Sequence, residues 1–333
     1  MLKDRVVTLS DWFSKQQASN FPTPLMDLRS GKRVNRLSSG KLNMTLVPFS
    51  IDFLKERSFE LPARHVEFAI LLAPSDLDKA EAFLLGSKDN SRKRPQKPWQ
   101  VSDVLLETPN FWEEAKALKI YQEKTDGQDD EIFPLPRLWQ PDAMVQNSLL
   151  PLLRESLSSD DEVWDLASGA GRDVAFLAEE LVSSKTSFKS VVGFDHRYNE
   201  KETNIVKGFL DRRGVAEKTS VVKMDLSSFG LVEEAMKFKS VGALLVVRFW
   251  KPLLVEALAK SDCLASGTLF CISHFCKPFD GAPWDFAHPS EKTVLERNQL
   301  HNLFHQDWDI LHDEIASDSD HGRSMIHFIA KRR

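Results

Sequence analysis

Three aspartates recur at a regular spacing in the second half of the chain, each at the end of a short apolar run. Asp165, Asp195 and Asp225 stand thirty residues apart. A strand, a helix and two loops use about thirty residues, so the carboxylates are expected along one edge of a parallel sheet. Ligands bind at the carboxyl ends of such strands, where a carboxylate can accept hydrogen bonds from two ribose hydroxyls.

Two glycines lie between the first of these runs and a segment with helical spacing of apolar residues. Gly169 and Gly171 allow a tight backbone turn and close approach of a ligand. A dinucleotide fingerprint needs a third glycine where Val174 stands. Asp173, in the first helical turn, would also repel a phosphate. The pattern therefore favours a cofactor without phosphates over NAD.

The same stretch resembles motif I of class I S-adenosylmethionine (SAM)-dependent methyltransferases, typically acidic-x-Gly-x-Gly-x-Gly, and here reads Asp165-x-Ala167-x-Gly169-x-Gly171. Ala167 departs from the pattern at the first glycine. The resemblance implies SAM as cofactor, with Asp195 on the ribose, Asp225 on the adenine amine and Asp165 on the ammonium group. It also implies a Rossmann-like seven-stranded sheet over residues 137–333.

Three further residues are candidates for the pocket. Arg248 begins Arg-Phe-Trp-Lys-Pro-Leu, which resembles the Arg-aromatic-x-x-Pro-Leu step of methyltransferases related to the tellurite-resistance and thiopurine groups. It is expected to neutralise an anionic substrate or the cofactor carboxylate, or to pair with an aspartate. His274, at a strand end, is a candidate for a general base. Trp139 is either a pocket residue or a domain-interface anchor.

Residues 1–121 are expected to form a first α/β domain. His65 to Leu72 is predicted to be a buried strand, and Asp27-Leu28-Arg29 after one strand together with Phe68 to Leu72 before a loop and a helix resemble a rhodanese-like domain. A working sulfurtransferase has a cysteine after that second strand, whereas the first cysteine here is Cys263. The resemblance therefore implies a domain without sulfurtransferase activity, which serves for binding, substrate delivery or packing.

Length and composition agree with a two-domain protein of the cytosol. At 333 residues the chain exceeds the usual size of one domain, and the polar, acidic stretch 122–136 is the predicted linker. The three cysteines suggest a reducing compartment, and no apolar run is long enough for a membrane span. His301 and His305 have helical spacing but no third ligand nearby in sequence, so no metal is expected.

The predicted function is transfer of a methyl group from SAM to an unidentified acceptor. Such a transfer has no obligatory protein nucleophile, so the sequence leaves the acceptor open; the resemblance suggests a small thiol, selenium or tellurium compound. One alternative is a SAM-binding scaffold without activity. Another is an RNA or protein methyltransferase that docks through the basic run at 88–97. That run also leaves a nuclear location open, although the net charge of −5 favours a solvated loop.

Overall fold

The computed structural model describes residues 1–20, 22–30, 35–37, 46–86, 97–123, 137–227, 229–237, 239–278, 283, 284, 286, 288–317 and 322–333. The chain divides into two compact units, Met1–Gln140 and Pro141–Arg333. The predicted linker, 122–136, lies outside the described residues from 124 onward, and the basic run at 88–97 lies outside them except for Lys97. The predicted domain boundaries therefore stay predictions.

The first unit is built on a four-stranded parallel sheet. Its strands are β1 (Leu25–Asp27), β3 (Leu46–Pro48), β4 (Glu67–Leu72) and β5 (Gln100–Leu106), in the order β3-β1-β4-β5. A separate antiparallel pair joins β2 (Asn35–Leu37) to β6 (Tyr121–Glu123). The helices are α1 (Leu9–Gln17), α2 (Leu77–Glu81), which continues as a π-helical turn, and α3 (Pro109–Ala117).

Both faces of this sheet are buried, as the apolar run at 65–72 predicts for a parallel strand. Phe68, Ile70 and Leu72 of β4 pack into one apolar cluster. Ala69 and Leu71 pack on the other side with Trp12 of α1 and with α3. The period of two along the strand thus divides one continuous apolar run between two cores.

The second unit contains a mostly parallel seven-stranded sheet. Its strands are β7 (Asp161–Leu166), β8 (Ser190–Asp195), β9 (Thr219–Lys223), β10 (Ser240–Val247), β11 (Leu269–Phe275), β12 (Trp308–Ser317) and β13 (Ser324–Arg332). Their order is β12-β13-β11-β10-β7-β8-β9, and β13 runs antiparallel to both of its neighbours. The helices are α4 (Leu150–Ser156), α5 (Arg172–Ser183), α6 (Glu200–Arg212), α7 (Phe229–Met236), α8 (Pro252–Ala259) and α9 (Gln299–Phe304).

This arrangement is consistent with the Rossmann-like sheet that the sequence predicts. From β7 the sheet grows in one direction through β8 and β9, and the chain then crosses to the other side of β7 to form β10 and β11. The order of the strands therefore reverses between β7 and β10. Ligands of open α/β sheets bind at such a reversal. Within the described ranges, no helix is both long and apolar enough to cross a membrane.

Candidate functional site

The turn after β7 contains three residues in left-handed backbone conformations. Ala167, Gly169 and Gly171 have φ angles of 67°, 59° and 73°. Gly171 is the N-cap of α5, and a Cβ there would stand 2.9 Å from Cγ1 of Val206. The turn therefore requires glycine at Gly171 for both conformation and space. Ala167 adopts the same left-handed region despite its Cβ. Position 167 is where the motif has its first glycine.

Replacement of Gly171 by alanine is expected to lower the free energy of unfolding by about 2 kcal/mol, from left-handed strain plus the contact with Val206. Gly214 provides a matched control, because its φ is 68° and a Cβ there meets nothing within 4 Å. Gly214→Ala should cost only about 1 kcal/mol. Urea denaturation of both variants measures the difference, and equal costs would contradict the contact with Val206.

Asp195, the last residue of β8, lies against this turn. Its Oδ2 accepts a hydrogen bond from the Gly169 N–H at 3.0 Å, and Oδ1 accepts one from the Arg197 N–H at 2.9 Å. Burial opposes ionisation, but the hydrogen bonds from Arg197 hold the pKa of Asp195 below its ordinary value. The predicted ribose acceptor is therefore an ionised carboxylate beside the glycine turn.

Three more carboxyl groups gather at the same edge of the sheet. Asp165 is 2% exposed in β7, and burial together with Asp173, Asp195 and Asp142 raises its pKa well above the ordinary value. Burial and the charge of Asp142 raise the pKa of Asp173 to about 6. The N–H of Asp142 donates to Oδ1 of Asp173 at 3.0 Å. Such a cluster favours a cationic ligand and disfavours an anionic one.

The residues present fit SAM, which carries a positive sulfonium and a positive ammonium group but no phosphate. Asp165, Asp173 and Asp142 place three carboxyl groups at the turn, and a cationic ligand would stabilise the ionised forms of Asp165 and Asp173 that burial disfavours. Asp195 is an ionised carboxylate, a group that accepts hydrogen bonds from sugar hydroxyls. A dinucleotide would instead bring its pyrophosphate to the N-terminus of α5, where Asp173 stands.

Asp225 and Arg248 occupy more exposed positions. Asp225 lies two residues beyond the end of β9, and its Oδ1 accepts a hydrogen bond from the Ser227 N–H at 2.9 Å. This bond lowers the pKa of Asp225. Arg248 follows β10 with a φ of 53°, and its N–H donates to the Ser273 carbonyl. The positive charge of Arg248 partly offsets the rise in the pKa of Asp173. Arg248 therefore interacts electrostatically with the carboxyl cluster.

His274 and Trp139 are both buried. His274 is 3% exposed in β11, and its imidazole Nε2 is 2.8 Å from the Thr293 carbonyl. Burial lowers the pKa of His274, so the ring is neutral at pH 7. Trp139 belongs to the first unit, where the guanidinium of Arg137 lies 6.0 Å from its ring centroid. The pocket roles of both residues stay predictions.

Sequence reasoning missed several members of the site. The hydroxyl of Ser273 donates to Oδ2 of Asp142 at 2.9 Å, and His327 lies opposite Ser273 on the neighbouring strand β13. The hydroxyls of Ser168 and Tyr198 are 2.6 Å apart, which ties the glycine turn to the loop after β8. Of these, only the position of Ser168 inside the motif is a sequence signal.

Comparison with known proteins finds no protein-family model that matches the chain and no curated protein that matches it. Solved structures do match. A geranyl diphosphate methyltransferase in complex with SAM is 11% identical, covers 57% of this chain and 85% of its own, and has a TM-score of 0.41. An rRNA methylase from Streptococcus thermophilus is 17% identical, covers 55% and 93%, and has a TM-score of 0.37. The [4+2]-cyclase SpnF is 13% identical, covers 55% and 79%, and has a TM-score of 0.40.

Proposed function

We propose that the second unit binds SAM and transfers its methyl group to a nucleophilic acceptor. The observation that supports this most directly is the contact between Asp195 and the turn, in which a buried carboxylate accepts the Gly169 N–H at 3.0 Å. A sugar held by Asp195 would therefore lie beside the left-handed turn. The carboxyl groups of Asp165 and Asp173 lie at the same edge and favour the positively charged end of the same ligand.

The chain's own residues act by binding and orientation. SAM supplies an electrophilic methyl group, and in-line attack by a nucleophile needs chiefly correct placement of the two reactants. Asp195 and the turn hold the adenosine. Asp165 holds the ammonium group, and Asp225 contributes an acceptor for the adenine amine from its exposed loop. Burial of Asp165 and Asp195 would strengthen their contacts with the cofactor relative to water, whereas the contact of Asp225 stays open to solvent.

The proposed acceptor is a small molecule, and the resemblance at 248–253 favours a thiol, selenium or tellurium compound. His274 is the proposed general base for such an acceptor, since burial keeps its imidazole neutral and able to take a proton. The net charge of −5 argues against an RNA acceptor, which would require a basic surface. A protein without turnover on any acceptor would instead be a SAM-binding scaffold.

The first unit is proposed to be a rhodanese-like domain that serves for binding or packing rather than for sulfur transfer. Its Arg29 is 4% exposed and is held by Asp27 at 2.8 Å and by Glu107 at 2.7 Å. A guanidinium bound on two sides in this way stabilises the edge of the sheet. β4 leads into Ala73 and Pro74, with no thiol in the unit to carry a persulfide.

Titration calorimetry of the full chain with SAM and with NAD tests the cofactor. We expect saturable binding of SAM and no measurable binding of NAD, because Asp173 repels a pyrophosphate at α5. The second measurement is transfer of a radiolabelled methyl group to a panel of thiols, selenite, tellurite and RNA. Binding of NAD in preference to SAM would contradict the proposal. Transfer to RNA alone would overturn the small-molecule acceptor.

A further inference from the structure

Arg197 makes several contacts with the carboxylate proposed to bind ribose. It stands two residues after Asp195, and its backbone N–H and its Nε donate to Oδ1 at 2.9 and 3.2 Å. Its Nη2 donates to Oδ2 at 3.3 Å. Oδ2 is also the acceptor of the Gly169 N–H. Each oxygen of Asp195 thus accepts one backbone hydrogen bond and one from the guanidinium, and Oδ1 also lies 3.2 Å from Nδ1 of the exposed His196.

The guanidinium also lies against the glycine turn. A Cβ built on Gly169 would stand 3.2 Å from Nη2 of Arg197, so the guanidinium occupies the space beside that α-carbon. The side chain of Arg197 is 62% exposed, whereas that of Asp195 is 4% exposed. Because the guanidinium is exposed, water can solvate it when it leaves the carboxylate, so its displacement has a small cost. The two backbone hydrogen bonds can persist when the guanidinium moves away.

We infer that Arg197 sets the cofactor affinity of this protein by competing with the ribose hydroxyls for Asp195. The inference rests on the proposed function, since it takes the ligand to be a nucleoside bound by Asp195. A carboxylate oxygen that already accepts a backbone N–H and a guanidinium N–H has limited capacity for a hydroxyl. Binding of the nucleoside therefore breaks the two side-chain bonds of Arg197 and keeps the bonds from Gly169 and from the Arg197 backbone.

Calorimetry of Arg197→Gln with SAM tests the competition. We expect the variant to bind SAM about three- to fivefold more tightly than the wild type, the range for loss of an ion pair whose arginine is exposed to solvent. Arg154→Gln is the matched control, because Arg154 is also an exposed arginine in an ion pair, with Glu180 at 3.1 Å. It should leave the affinity unchanged. Equal or weaker binding of SAM by Arg197→Gln would overturn the inference while leaving the proposed function standing.

A second measurement examines the contact in the free protein. Titration of Asp195, followed by carboxyl carbon NMR of the protein labelled at aspartate, should show a higher pKa in Arg197→Gln than in the wild type, because the guanidinium stabilises the ionised form. An unchanged pKa would show that the ion pair does not form in solution and would overturn the inference. Failure of SAM to bind either protein would instead overturn the proposed function, and the inference with it.

Discussion

Replacing Asp195 with alanine is expected to lower the affinity for SAM by at least about a hundredfold. A hydrogen bond to a charged group contributes roughly 1.5–3 kcal/mol, and the proposed site loses two of them to ribose. The variant also leaves the Gly169 N–H without its carboxylate, which loosens the turn against which the cofactor lies. Calorimetry with SAM, or competition with S-adenosylhomocysteine, measures the loss.

Asp225→Ala is the matched control for this prediction. Asp225 is the same residue type and follows Asp195 by thirty residues, as Asp195 follows Asp165, and it accepts a hydrogen bond from the Ser227 N–H, but it lies two residues beyond β9 and is exposed. Its replacement should lower the affinity by about fivefold, the value of one hydrogen bond open to water. Equal losses in the two variants, or unfolding of the Asp195 variant at the assay temperature, would contradict the separate roles of the two aspartates.

The sequence predicted the elements whose signal is local. Apolar runs at 163–166 and 191–194 became β7 and β8, and the two glycines and the helix after them lie where the motif predicts. The spacing of thirty residues predicted that the aspartates reach one edge. The spacing did not predict where each aspartate lies relative to the end of its strand, or how exposed its carboxylate is. β9 ends at Lys223, so Asp225 lies in a turn beyond the strand and is more exposed than Asp195.

The parts that could not be predicted depend on contacts between distant residues. Asp142 has no motif, and it joins the site because its N–H bonds Asp173 and because Ser273 bonds its carboxylate. In β11, a shift of one residue along the strand decides which side chain contacts Asp142. Successive side chains point to opposite faces, so Ser273 and not His274 is the residue on Asp142. The alternation of side chains along a strand does not by itself predict which face of the strand contacts a residue distant in sequence, such as Asp142.

A second large effect is expected from Asp173→Asn, which should raise the free energy of unfolding above pH 6. The folded chain holds the pKa of Asp173 at about 6, whereas the ordinary value is 3.8. The full shift corresponds to about 3 kcal/mol, and partial exposure of the side chain reduces the expected gain to about 2 kcal/mol. Asparagine keeps an oxygen for the Asp142 N–H, so the hydrogen bond at 3.0 Å survives.

The pH dependence follows from the raised pKa. Between about pH 4 and pH 6 the folded wild type binds more protons than the unfolded chain, so its stability falls as the pH rises through this range. Below about pH 4 both states are protonated, and the variant and the wild type should be equally stable. Urea denaturation at pH 4 and at pH 7 measures this, and a difference that is the same at both values would contradict the prediction.

The same variant should bind SAM about fivefold to tenfold more weakly at pH 7, because it removes a negative charge from a cluster that receives a cation. Stability and affinity therefore change in opposite directions. A carboxylate that served only the fold would not do this, since relief of its repulsion with Asp142 and Asp165 would leave ligand binding unaffected. Glu179→Gln is a fitting control, because Glu179 is a carboxylate of α5 paired with Arg213. Its replacement should lower stability and leave the affinity for SAM unchanged.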